Sequence, residues 1–150
     1  MSMKRKGLIL FLGCISMTII SCNRTKTTPE VREAYADGKP KVLLEYTTDQ
    51  QGEKKLYKET HYFPGEKKYI EGKYDDAANR NGVWTSWYEN GQKNSQIKYV
   101  NGKEDGDYNT WYPNGKPYIT GKYDMGKKIG VWAFHDTLGT VVKEENFGKK

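Results

Sequence analysis

Bulky residues alternate with small or polar ones along most of the chain beyond residue 34. Trp84, Ser86 and Tyr88 occupy every second position of one such run. Because a period of two places alternate side chains on opposite faces of a strand, this run predicts a β-strand. Apart from the N-terminal stretch, no segment has a helical period. The same run recurs 24 residues later as Tyr108, Thr110 and Tyr112.

The chain repeats itself with a period of about 24 residues. Residues 82–93 are similar to residues 106–117 and, more weakly, to residues 130–139. Two sets of residues recur with this period. The turn glycines are Gly38, Gly65, Gly91, Gly115 and Gly139, and the aromatic residues that close each unit are Tyr46, Tyr74, Tyr99, Tyr123 and Phe147. A fixed period is typical of a repeat architecture. The sequence therefore predicts an all-β fold, an elongated single-layer antiparallel array of about five β-hairpins.

The alternation also predicts which side chains share the core face. On the returning strand, Ile70, Gly72 and Tyr74 match Ile119, Gly121 and Tyr123 of a later unit. We expect the glycine of each triplet to leave room for a large ring on a neighbouring strand. The positions predicted to be structural in the repeat are Trp84, Tyr88, Gly91, Tyr108, Tyr112, Gly115, Tyr123 and Trp132.

Two kinds of connection join the predicted strands. Asn90–Gly91 and Asn114–Gly115 indicate tight hairpin turns in which both residues take positive φ. Residues 101–106 and 125–130 are bounded by glycine and indicate a longer connection.

Each full unit has the form G-x-[WY]-x-x-W-Y-x-N-G-[KQ]. This motif resembles the MORN-repeat family in its bacterial variant, and it is most similar to the YwqK-type proteins. The resemblance covers residues 34–150, and its irregular first and last units are what caps of a repeat array would show. It implies a scaffolding or binding module, and its YwqK-type form implies an antitoxin or immunity protein that neutralises a cognate toxin.

The N-terminus predicts a lipoprotein. Residues 1–21 combine a basic start with a short apolar stretch that ends before Cys22, as in a bacterial lipoprotein signal peptide. We expect Cys22 to be acylated and to anchor the chain on the inner or outer membrane of a bacterial envelope, with residues 22–33 as a tether. Two alternatives stay open: an uncleaved anchor, or ordinary cleavage that leaves an idle thiol.

Composition narrows the function further. Loss of the three basic residues in 1–21 lowers the net charge from +6 to +3, and the remaining lysines are dispersed. A nucleic-acid partner requires clustered basic residues, so none is predicted. The only histidines, His61 and His135, lie far apart in the repeat, and Asp75–Asp76 and Glu144–Glu145 would point to opposite faces. We therefore expect no enzyme activity, no cofactor and no metal site.

Trp87, Trp111 and His135 fall on the face opposite the core, one in each unit. Equivalent positions in successive hairpins lie two strand spacings apart, ~9.5 Å. They form a candidate binding face for an extended partner, such as a glycan strand or the edge of another protein. The alternative is that they pack against loops or a neighbouring strand. The resulting hypothesis is a non-enzymatic envelope lipoprotein that binds a protein or cell-wall component, with the antitoxin role as the alternative.

Overall fold

The computed structural model describes residues 26–148, so the predicted signal peptide and Cys22 lie outside the described part. Its strands are β1 Thr28–Ala34, β2 Pro40–Thr48, β3 Lys54–Tyr62, β4 Lys68–Tyr74, β5 Arg80–Trp87, β6 Lys93–Val100, β7 Lys103–Trp111, β8 Pro117–Asp124, β9 Lys127–His135 and β10 Val141–Asn146. They form one sheet whose spatial order is the chain order, and all neighbouring strands are antiparallel. The described chain is thus an open, single-layer array of five consecutive hairpins, which confirms the predicted fold class.

The core face is built around tryptophan rings that lie over glycines. Trp84 is 4% exposed and Trp132 is 2% exposed. A Cβ atom on Gly72 would collide with the indole of Trp84, and one on Gly121 would collide with the indole of Trp132. These contacts confirm that the glycines make room for rings. Each indole N–H also donates to a backbone carbonyl on the strand beside it, Trp84 to Lys73 at 3.0 Å and Trp132 to Lys122 at 3.3 Å.

Rings from successive strands continue this core along the sheet. Trp84 contacts Tyr74 and Tyr99 edge to face, with ring centroids 5.3 Å and 6.3 Å apart. Further along, the rings of Tyr108, Tyr123, Trp132 and Phe147 are linked by centroid distances of 5.0–6.2 Å. Aromatic pairs in such arrangements add about 1 kcal/mol beyond burial alone. The rings therefore join the units as well as filling them.

Long cationic side chains cover these rings from outside. The guanidinium carbon of Arg80 lies 4.1 Å from the ring centre of Trp84, and Lys128 Nζ lies 4.4 Å from that of Trp132. A single sheet has no second layer to bury its core face. Arginine and lysine can supply that cover because their stems are apolar and their charged ends stay in water.

The turns differ from the expectation. Asn101–Gly102 and Met125–Gly126 are the tight two-residue turns, with positive φ at both residues (50° and 80°, 47° and 87°). Strands β7 and β9 then begin at once, so the predicted longer connection is wrong. At Asn90–Gly91, by contrast, only the glycine has positive φ (86°), in a five-residue loop over 88–92.

The side chain of Asn90 explains this loop. Its Oδ1 accepts from Gln92 N at 3.0 Å, while Tyr88 N donates to Gln92 O at 2.8 Å. Its Nδ2 donates to Pro113 O of the next unit at 2.9 Å. The asparagine is therefore used for side-chain hydrogen bonds rather than for a left-handed backbone.

Tyr88 and Tyr112 follow their strands instead of lying within them, which corrects their predicted place in the alternation. Tyr88 Oη donates to Trp111 O, and Tyr112 Oη donates to His135 O, each at 2.8 Å. Each hydroxyl thus bonds the backbone of the following unit. Alternation does not extend into a loop, and sequence spacing alone could not show where the strand ends.

Strand β1 overlaps the predicted tether, residues 22–33, in all but its last residue. Thr28–Ala34 pairs with β2 although all of its residues are exposed, so the array begins at Thr28 and not at residue 34. The strand has no apolar alternation because it is an edge strand that packs little. Its ladder of backbone hydrogen bonds holds it in place.

Candidate functional site

Three predicted binding residues end equivalent strands. Trp87 is the last residue of β5, Trp111 of β7 and His135 of β9. A register shift between Ser86 and Trp87 brings Trp87 opposite Lys93, and the same shift recurs at Trp111. Tyr62 ends β3 in the same way and was not recognised from the sequence. We call Tyr62, Trp87, Trp111 and His135 the terminal row.

Lysines alternate with the rings of the terminal row. Lys68 stands opposite Tyr62, and its Nζ lies 5.8 Å from the ring centre of Trp87. Lys93 stands opposite Trp87, and its Nζ lies 5.7 Å from the ring centre of Trp111. Lys68 also pairs with Glu71 at 2.8 Å, whereas none of the carboxylates in residues 26–148 forms an ion pair with Lys93. The sequence offered a signal for Lys93, since it follows the turn of the repeat motif.

Trp87 and Trp111 line one open groove. Lys93, Gln92, Gly91 and Gly115 complete its lining, and its volume is about 450 Å³. Both indoles are half-buried, so each keeps part of its ring accessible from the groove. The groove can therefore offer two aromatic surfaces and one ammonium group to the same ligand.

The third residue of the predicted face differs from the tryptophans. His135 Nδ1 lies 3.3 Å from Tyr118 O, within hydrogen-bonding distance. The groove between Trp87 and Trp111 does not include it. His135 thus continues the row as a polar ring.

A second row runs beside the terminal row on the same face. It contains the half-buried residues Thr85, Gln96, Asn109 and Thr120, which stand opposite one another across β5–β8. Thr85 lies two residues before Trp87, and Asn109 two before Trp111, so the rows share a face. Gln96 Nε2 donates to Thr85 Oγ1 at 3.4 Å. We call these four residues the polar row.

Charged side chains continue this face toward the N-terminal strands. Lys58 bridges Glu45 at 3.3 Å and Glu71 at 2.9 Å. Burial alone would raise the pKa of Glu71, but its bonds to Lys68 and Lys58 hold that pKa below the ordinary value. Glu71 therefore stays ionised and neutralises part of the lysine charge near Tyr62.

A separate polar cluster lies on the core face. Glu59 accepts hydrogen bonds from Tyr74 Oη and from the ring of His61. Burial works to raise the pKa of Glu59, yet Tyr74, His61 and the nearby Arg80 hold it below its ordinary value. Burial and the bond to Glu59 raise the pKa of Tyr74 to about 12. These groups satisfy one another, and Tyr74 links the network to the aromatic core, since its ring packs against Trp84.

Within 26–148, no three His, Cys, Asp or Glu side chains converge as metal ligands. The same residues contain no helix that could span a membrane. No protein-family model, curated protein or solved structure matches this chain. The resemblance to MORN repeats therefore stays a prediction that rests on the motif.

Proposed function

We propose that this chain is a non-enzymatic lipoprotein of the bacterial cell envelope, anchored through Cys22, whose hairpin array binds a protein or a cell-wall component. The observation that supports it is the groove between Trp87 and Trp111. Two half-exposed tryptophans in equivalent positions, with a lysine between them, form a surface that the fold does not need for its core. Tryptophan is among the residue types enriched at the positions that contribute most to binding between proteins.

The groove is also held in shape before any ligand arrives. The hydrogen bonds from Tyr88 to Trp111 and from Asn90 to Pro113 tie adjacent units at the groove itself. A rigid site loses little conformational entropy on binding. These bonds therefore support binding of a partner without a change in the conformation of the sheet.

The binding role is tested with the double variant Trp87→Ala, Trp111→Ala. The full chain is used to capture partners from solubilised envelopes, and bound material is identified by mass spectrometry. We expect the variant to lose the partner while its circular dichroism spectrum stays unchanged. Tyr57→Ala is the matched control. Tyr57 is also a half-buried ring with a lysine beside it, since Lys73 Nζ lies 4.8 Å from its ring centre, but it does not belong to the terminal row.

Retention of every partner by the double variant would contradict the proposal. A toxin captured through these rings would instead support the antitoxin or immunity role that the YwqK-type resemblance implies. The anchor is tested separately, because Cys22→Ser removes the thiol that would be acylated and should abolish incorporation of a labelled fatty acid into the chain. A Cys22→Ser chain that still takes up the label would contradict acylation at Cys22.

A further inference from the structure

We infer that the groove binds a carboxylate-bearing β-1,4-linked glycan of the cell wall, which lies across the strands with sugar rings against Trp87 and Trp111. This inference rests on the proposed binding function and names its ligand. Three features support it: the spacing of the rings, the chemistry of the polar row and the position of Lys93.

Ring spacing matches an extended sugar chain. Trp87 and Trp111 end alternate strands, so they stand two strand spacings apart, ~9.5 Å. In a β-1,4-linked chain each sugar is rotated relative to the last, so the same face returns at every second sugar, a repeat of similar length. The apolar face of a sugar can pack on an indole, as small apolar surfaces do in aromatic-lined sites. Two such contacts would hold the chain perpendicular to the strands.

The polar row matches the hydroxyl groups of the same chain. Thr85, Gln96, Asn109 and Thr120 are uncharged, and their hydroxyl and amide groups both donate and accept hydrogen bonds. Sugar hydroxyls also do both. The row runs across the strands parallel to the line between the tryptophans, because its members stand opposite one another in register. A glycan on the rings would therefore lie beside hydrogen-bonding groups along its whole length.

Lys93 indicates an acidic ligand. Lys93 lines the groove, its Nζ lies 5.7 Å from the ring centre of Trp111, and it forms no ion pair with the carboxylates of residues 26–148. A neutral glycan would leave this charge unused, whereas a carboxylate substituent could pair with it. Amino-sugar strands of the bacterial cell wall carry such carboxylates on the short peptides attached to them, and an envelope-anchored chain would meet these strands.

The topology argues against the main alternative, the edge strand of another protein. Strand addition requires an unpaired sheet edge, and in this sheet β1 and β10 are the edges. Strands β5 and β7, which carry the tryptophans, are paired on both sides. The groove lies on the face of the sheet, where side chains rather than backbone groups meet a ligand.

The test is co-sedimentation of the full chain, purified in detergent, with two insoluble glycans. Purified peptidoglycan sacculi supply the acidic β-1,4-linked strand, and chitin supplies a neutral one. We expect Trp87→Ala and Trp111→Ala each to weaken binding to sacculi about tenfold, as anchor residues do. Lys93→Gln should lower binding to sacculi toward the level seen with chitin, and Tyr57→Ala should change neither. Circular dichroism shows that each variant is folded.

Each outcome decides between the two proposals. Failure to sediment with sacculi, together with tryptophan-dependent capture of an envelope protein, would overturn the glycan inference and leave the binding function standing. Equal binding to sacculi and chitin, unchanged in Lys93→Gln, would overturn the acidic ligand. If sacculi binding survives both tryptophan changes, the groove is not the glycan site. If binding to sacculi and capture of envelope partners are both unchanged by the tryptophan substitutions, both proposals are wrong.

Discussion

Trp84 and Trp87 stand three residues apart in β5, yet they lie in opposite surroundings. Trp84 is 4% exposed, lies over Gly72 and is covered by Arg80. Trp87 is half-buried, borders an open groove and has Lys68 beside it. One ring belongs to the face whose rings hold the units together, and the other to the opposite face, where it borders the groove.

This difference follows from a single-layer sheet. With only one layer, each strand still has two faces, but only one of them needs to bury rings for the array to fold. The opposite face is free to repeat any pattern that the strand spacing allows. The same 24-residue period therefore places core rings and terminal-row rings at fixed, separate positions.

The largest expected effect comes from removing the core ring of this pair. Trp84→Ala should destabilise the fold by about 3 kcal/mol or more, because it leaves a cavity where the indole fills the notch over Gly72. Trp87→Ala should cost under about 1 kcal/mol, since its site opens to solvent. Urea melts of both variants measure the difference. Equal midpoints would contradict the assignment of the faces.

The glycine beneath a core ring gives the next largest effect. Gly121→Ala should cost about 1–3 kcal/mol, because the added Cβ would collide with Trp132. The unit between these two tryptophans has Ile97 in place of the glycine and Tyr108 in place of the tryptophan, so the larger residue on one strand faces a smaller ring on the other. We therefore expect Gly121→Ala, Trp132→Tyr to cost less than the sum of its single changes. Thermal melts of all three variants measure the coupling, and simple additivity would contradict steric complementarity.

The bonds between units should contribute less. Tyr112→Phe removes the hydroxyl that donates to His135 O, and we expect a loss of about 1 kcal/mol. The second unit already has Phe63 at this position, where Lys67 Nζ donates to Glu89 O at 3.1 Å instead. Denaturant melts compare Tyr112→Phe with Tyr69→Phe, whose ring is 46% exposed. An equal or larger loss in Tyr69→Phe would contradict a stabilising role for the hydrogen bond from Tyr112 to His135.

The smallest effect concerns pH. The pKa of Glu59 lies below its ordinary 4.5, so the carboxylate stabilises the fold above pH 4.5 and this stabilisation is lost as the pH falls through the lower folded value. Glu59→Gln should therefore show a weaker acid dependence of stability than the parent chain. Melts at a series of pH values below 4.5, with Glu66→Gln as the exposed control, measure it. Parallel curves for parent and Glu59→Gln would exclude this role.

Much of the fold could be predicted because two independent patterns indicate it: the alternation of side chains predicts the strands, and the period of about 24 residues predicts the repeated hairpins. The contacts of Gly72 and Gly121 with tryptophan rings could also be predicted, because these glycines occupy core-face positions where the alternation calls for a bulky residue. The turns could not be predicted, since Asn90–Gly91 and Asn101–Gly102 have the same spelling. They differ in whether the asparagine side chain finds bonding partners in its own loop and in the next unit.

The candidate site was only partly visible in the sequence. Parity singled out Trp87 and Trp111, but the lysines beside them depend on a register shift that brings Lys93 opposite Trp87. Strict alternation would have placed Lys93 on the other face. Only Tyr74 of the polar cluster stands at a repeat position. Glu59 and His61 do not, so the repeat could not predict the hydrogen bonds that Glu59 makes with His61 and Tyr74.

The separation of the two faces can be measured directly, because the chain has four tryptophans, two on each face. Trp84→Phe, Trp132→Phe leaves the groove pair as fluorophores, and Trp87→Phe, Trp111→Phe leaves the core pair. Acrylamide should quench the groove pair strongly and the core pair weakly, and sacculi should protect only the groove pair. Equal quenching of the two pairs in folded variants would contradict the account.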